Sequence, residues 1–192
     1  MEDPVITILP KLRISTDWPK HPILFLAGPV LGGGDWQHAM CKLLHEKLSH
    51  RRNFYVVVPC RYPDNHPLRM YEARQGAACV GDFDRQLDWE RHYLELASVH
   101  GNIIFWLACE SKRNPRADGK PYAVDTRGEL GEWRGRLMHN PQLHVLLGAE
   151  PGFPGFNVIQ RNFCQALDRN VIFPETMEDL VDQVVVSVLG EH

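Results

Sequence analysis

Two glutamates of this chain stand where a carboxylate could do chemistry. Glu129 lies in the run Asp125-Thr126-Arg127-Gly128-Glu129-Leu130-Gly131-Glu132-Trp133. Gly128 and Gly131 flank it in what should be a helix, where a glycine costs about 1 kcal/mol against alanine. Glycines kept against that cost imply that something comes close to the backbone. A carboxylate in the first turn of a helix is kept ionised by the helix dipole, as a nucleophile needs. A structural reading is equally concrete, because Thr126 and Glu129 match a capping box in which the glutamate folds back onto the cap. Glu90 is the second. Phe83, Leu87, Glu90, Leu94 and Ala97 recur at spacings of four, three, four and three, a single helical stripe. A charge in the middle of an apolar stripe is costly unless it is paired or used. Arg91 and Arg127 are the cations at hand, as ion-pair partners of Glu90 or as substrate ligands. Two carboxylates meeting at one cleft suit glycoside chemistry, one forming a glycosyl intermediate and the other orienting hydroxyls or passing a proton.

A third stretch, Gly28-Pro29-Val30-Leu31-Gly32-Gly33-Gly34-Asp35, lacks the Gly-Lys-Ser/Thr of a nucleotide-binding P-loop and the G-x-G-x-x-G of a dinucleotide site. Its glycines, Gly28, Gly32 and Gly33 among them, let a ligand approach the backbone, and the helix start beyond favours an anion. The loop is therefore expected to hold the 5′ end of a sugar, with or without a phosphate. Asp35 reads as the cap of its own helix.

The elements that must position these groups alternate between strand and helix. Ile23–Ala27 reads as a buried strand, followed by a helix from Trp36 to about Ser49. Phe54–Val58 is a second strand and residues 60–82 an irregular excursion. A helix over about Phe83–Ser98 leads to a strand at Ile103–Leu107. A polar loop then precedes a helix over about Arg127–Met138. His144–Leu147 and Val171–Phe173 supply a fourth and a fifth strand, and Thr176 caps the last helix. Val5–Ile14 is an extra strand or a packing arm. Such a pattern predicts one α/β domain over residues 1–192, a flavodoxin-like or Rossmann-like three-layer sandwich with a five-stranded parallel sheet. Ligands of such sheets bind beyond the carboxyl ends of the strands, where the Gly28–Asp35 and Glu129 segments fall.

Composition narrows the partners. The chain has 192 residues, 44% apolar and 23% charged, with a formal net charge of −3. That balance and the lack of a basic run speak against a nucleic-acid polymer. No window approaches the ~18 apolar residues of a membrane span. The acidic start, Met1-Glu2-Asp3-Pro4, lacks the cationic opening of a secretory signal, so a cytoplasmic location is expected. Five widely spaced cysteines and ten scattered histidines form neither a disulfide framework nor a metal-ligand pattern. No cofactor and no metal is expected.

At four stretches the chain resembles the nucleoside 2-deoxyribosyltransferase family and its relatives, the nucleoside 5′-monophosphate N-glycosidases. They are Phe25-Leu26-Ala27-Gly28, Trp89-Glu90-Arg91 through Ile103-Ile104-Phe105-Trp106, Gly128-Glu129-Leu130-Gly131, and Gly155-Phe156-Asn157-Val158-Ile159. The resemblance implies that Glu129 is the nucleophile, Glu90 the ribose-binding acid, and Asn157 a residue that reaches a neighbouring subunit's site in a homodimer or higher homo-oligomer. It places Phe25 where the family usually has a tyrosine, and Glu90 where it usually has aspartate. The implied reaction is cleavage of a nucleoside or nucleotide N-glycosidic bond, with the sugar passing to another base or to water. Two other readings stay open: a catalytically silent nucleotide-binding or sensor domain on the same fold, and a flavin-binding flavodoxin-like protein.

Overall fold

A computed structural model describes residues 5–15, 21–51, 53–60, 62–68, 79–168 and 171–190. In chain order its elements are β1 (Val5–Ile8), β2 (Leu12–Ile14), β3 (Ile23–Ala27), α1 (Trp36–Leu48), β4 (Phe54–Val57), β5 (Cys79–Asp82), α2 (Gln86–His100), β6 (Gly101–Leu107), α3 (Val124–His139), β7 (Val145–Ala149), α4 (Phe156–Ala166) and α5 (Met177–Leu189). Five strands form one parallel sheet in the order β1-β4-β3-β6-β7. β2 and β5 pair antiparallel in a separate ribbon.

The central strand shows why the layers form. Every residue of β3 is buried, the continuous apolar run expected of a parallel strand covered on both faces. Its side chains alternate between two cores. Ile23, Phe25 and Ala27 pack with Trp89, Tyr93 and Ala97 of α2 and with Leu130, Trp133 and Leu137 of α3. Leu24 and Leu26 pack with Met40, Leu44 and Leu48 of α1 and with Leu180, Val184 and Val188 of α5. The chain is thus an α/β three-layer sandwich, with α2 and α3 together on one face.

Four of the five strands are those read from the sequence, and the fifth, β1, lies in the Val5–Ile14 segment read as an extra strand or a packing arm. Val171–Phe173 is not a strand. Ile172 is 88% exposed, and the segment meets β7 through the bond from Ala149 N–H to the Pro174 carbonyl (3.0 Å). Pro174 has no N–H with which to extend a ladder. The fifth strand is β1, which pairs with β4 at the opposite edge. The excursion over residues 60–82 contains β5, and the helix α4 follows β7 where no helix was expected. Its apolar residues Phe156, Ile159 and Phe163 do sit at helical spacing.

Glycine is required at the end of β3. Gly28 has φ +153°, and a Cβ there would lie 2.3 Å from the Trp106 carbonyl oxygen and 2.8 Å from the Trp36 ring. The chain therefore turns over the end of β6, where Trp36 Nε1 donates to the Pro29 carbonyl at 2.9 Å.

Candidate active site

A cleft of about 270 Å³ opens at the carboxyl end of β3. Phe25, Ala27 and the turn from Gly28 to Leu31 line one part of it, Gln86 and Glu90 of α2 a second, and Asp125, Thr126 and Glu129 of α3 a third, with Pro59, Arg116 and Ala123 at its margins. The volume is at the small end of ligand clefts, which run from ~300 to ~1,000 Å³. It matches one nucleoside-sized molecule better than a dinucleotide.

Glu90 and Glu129, far apart in sequence, are brought to the same cleft because α2 and α3 share a face of the sheet. Neither is presented as the sequence suggested. α2 begins at Gln86, and its buried residues are Trp89, Tyr93, Ala97 and Ser98, while Leu87 of the supposed stripe is 44% exposed. Glu90 is half-buried beside that core face. Gln86, one turn earlier, donates from Nε2 to Glu90 Oε1 at 2.8 Å and to the Pro59 carbonyl at 3.2 Å. The carboxylate is thereby tied to the end of β4.

Glu129 lies in the second turn of α3, not the first. Ala123 is the residue before the helix, in the left-handed conformation (φ 56°), and no side-chain cap is formed. Thr126 is buried inside the helix and lines the cleft, so the capping box does not exist. Nor does a helix start keep Glu129 ionised. Burial pushes its carboxyl up to about 7, and the charges of Glu90, Asp125 and Glu132 add to the effect. The left-handed Ala123 is a conformation that non-glycine residues adopt at a cost. It sets the angle at which α3 enters the cleft. Gly128 and Gly131 have open space where a Cβ would stand, so close approach to their backbone does not account for them.

Arg116 was not anticipated. Its side chain is 3% exposed. Nε donates to Asp118 Oδ1 at 2.6 Å, and Nη2 to Asp118 Oδ2 at 2.9 Å and to Asp125 Oδ2 at 3.2 Å. That fork holds the Asp118 carboxyl down at about 2. The loop is strapped to the glycine turn. Ser111 N–H donates to the Gly32 carbonyl at 2.7 Å, and a Cβ on Gly32 (φ +83°) would lie 2.8 Å from Arg116 N. Gly32 and Gly33 are thus packed against the protein itself and shape the cleft without lining it; a Cβ on Gly33 would meet the Pro29 carbonyl at 2.2 Å. The signal for Gln86 was its place one turn before Glu90. Nothing in the sequence pointed to Arg116.

The remaining expected site residues fall outside the cleft. Arg91 is exposed on α2. Arg127 lies over the Phe153 ring at 5.1 Å and donates to the Pro154 carbonyl, so it braces the turn into α4. Asn157 is exposed on the first turn of α4. Phe153 is buried and Phe156 packs edge-on against Phe173, so neither is a free surface aromatic.

Asp35 does not cap α1 with its side chain. Its Oδ2 lies 3.2 Å from both His38 Nδ1 and His66 Nε2, and the ligand atoms of these three residues lie within 4.8 Å of one another. His66 Nδ1 accepts the Leu68 N–H at 3.2 Å. That assigns the ring proton to Nε2, which donates to Asp35. The arrangement is a hydrogen-bonded cluster, with Tyr62 stacked on His66 at 4.0 Å. A metal at Nε2 would have to displace that proton.

Compared with models of known families and with curated proteins, the chain matches none.

Proposed function

We propose that this chain cleaves the N-glycosidic bond of a nucleoside or nucleotide, with Glu129 attacking the anomeric carbon and Glu90 holding the sugar. The observation that carries this reading is the pairing of two unlike carboxylates in one small cleft. Glu90 is fixed by Gln86. Glu129 is half-buried, and its carboxyl is raised to about 7 by desolvation and by the charge of Glu90. Two carboxyl groups facing one cleft, one of them raised, are an arrangement that acid–base and glycosyl chemistry uses.

In the ionised form Glu129 bonds to the anomeric carbon, and the electron pair of the C–N bond leaves with the base. Glu90 accepts hydrogen bonds from the sugar hydroxyls, which strengthen as positive charge develops on the ring. A second base or water then takes the sugar from Glu129. Phe25 forms the apolar floor of the cleft, and with no hydroxyl there the position of Glu129 is set by α3. Asn157, outside its own cleft, serves a neighbouring subunit in a homo-oligomer on this reading. The test is release of free base from a panel of nucleosides and nucleotides by the wild-type protein and by Glu129→Gln.

A further inference from the structure

We propose that Arg116 recognises the carbonyl oxygen of the departing base, so that the site favours nucleosides of oxo-bases over their amino counterparts. The inference deepens the N-glycosidase reading and rests on it for its catalytic half.

A guanidinium has five N–H donors. Three of those of Arg116 are spent on Asp118 and Asp125, one from Nε and two from Nη2. Among the described residues no acceptor takes the two on Nη1, and Arg116 lines the cleft. The fork to Asp118 fixes the plane of the group, so the remaining donors are already oriented when a ligand arrives. Among the described lining residues Arg116 is the one cation, against the carboxyl groups of Glu90, Asp125 and Glu129.

The surroundings say which part of a nucleoside meets it. Asp125 is one helical turn before Glu129, a rise of about 6 Å, comparable to the span from an anomeric carbon across its base. Val30 and Leu31 line the same cleft at 37% and 54% exposure, an apolar surface for a flat ring. Gln86 and Glu90 supply polar groups suited to sugar hydroxyls. A phosphate dianion at Arg116 would bring two full charges against Asp118 and Asp125, whereas an oxo-base is neutral on binding and carries only a delocalised share of one charge as the bond breaks.

The chemistry favours the same assignment. When Glu129 forms its bond to the anomeric carbon, the glycosidic electron pair passes to the base. On a 6-oxopurine that charge spreads onto the carbonyl oxygen, where a fixed guanidinium stabilises it without a proton transfer. The base anion takes its proton from water after release. A 6-aminopurine has no oxygen at that position.

The experiment compares inosine, adenosine and inosine 5′-monophosphate with the wild-type protein, Arg116→Gln and Arg116→Lys. Hypoxanthine release is expected to exceed adenine release. Arg116→Gln should lower kcat/KM on inosine by about 100-fold, the loss typical of one removed oxyanion donor, while adenosine changes far less. Arg116→Lys, which keeps the charge, should retain part of the preference and serves where the glutamine variant does not fold. Equal losses on both purines, or no loss on inosine, would overturn the proposal. A loss confined to the monophosphate would assign Arg116 to phosphate and overturn it too. Titrating free hypoxanthine and adenine by calorimetry decides the recognition half even if no nucleoside is cleaved, an outcome that would sink the N-glycosidase reading by itself. Hypoxanthine should bind more tightly, through Arg116, and equal affinities would contradict the inference.

Discussion

Gln86 and Glu90 are joined across one turn of α2 by a 2.8 Å bond from the amide to the carboxylate, and the same amide nitrogen holds the Pro59 carbonyl at 3.2 Å. The carboxylate proposed to bind the sugar is therefore anchored to the sheet as well as to its helix. Replacing Gln86 by leucine removes this one bond to Glu90 and leaves the Pro59 carbonyl without that donor. Turnover is expected to fall about tenfold, with about 1 kcal/mol of stability lost. Steady-state kinetics beside a thermal melt separates this from simple unfolding, which would show as a loss of several kcal/mol.

As the proposed nucleophile Glu129 has to be ionised, and its carboxyl is raised to about 7, first by burial and then by Glu90. Activity should therefore rise with pH, with kcat/KM half-maximal near 7. In Glu90→Gln the charge of Glu90 is gone, and the residual activity should show its acid limb at lower pH. A limb that stays in place would mean that another group controls the rate.

The same shift fixes a stability effect. The folded-state value lies above the ordinary 4.5, so the folded protein holds this proton more tightly than the unfolded chain. The contribution of Glu129 to stability is then full below pH 4.5 and is lost as pH rises through about 7. The cost at alkaline pH is on the order of 3 kcal/mol. Glu129→Gln should be inactive yet more stable than wild type at pH 8, with the gap closing toward pH 5. Denaturant unfolding at the two pH values measures it; a variant destabilised at pH 8 would contradict the burial argument.

The fold was legible where hydrophobic runs are long and buried on both faces. Ile23–Ala27 and the helix from Trp36 are found as read, because a β3-like run has no other place to go. Edges were not legible. Val171–Phe173 is as apolar as a strand, but Pro174 cannot extend a ladder, and β1 takes the fifth place at the other edge. Glu129 and Glu90 were found for reasons the structure replaces. The glycines beside Glu129 have open space, and the stripe around Glu90 was out of phase with the buried face of α2. What could not be read at all was Arg116, since its role depends on a loop that folds back over Gly32.

Those open glycines carry a prediction of their own. Gly128→Ala and Gly131→Ala should each stabilise the protein by up to about 1 kcal/mol without loss of activity. Gly28→Ala should destabilise it by about 2 kcal/mol or more, because the Trp106 carbonyl occupies the space a methyl needs. Thermal melts of the three variants report the signs directly.

The central claim is that Glu129 bonds to the sugar as the base departs. Its most direct test is intact-protein and peptide mass spectrometry after rapid acid quench of the enzyme with a cleavable nucleoside, alongside chromatography of the free base. The account predicts free base from the wild-type protein and a pentosyl adduct on the peptide carrying Glu129, and neither from a folded Glu129→Gln. Undiminished base release by Glu129→Gln, or an adduct on a different residue, would contradict it.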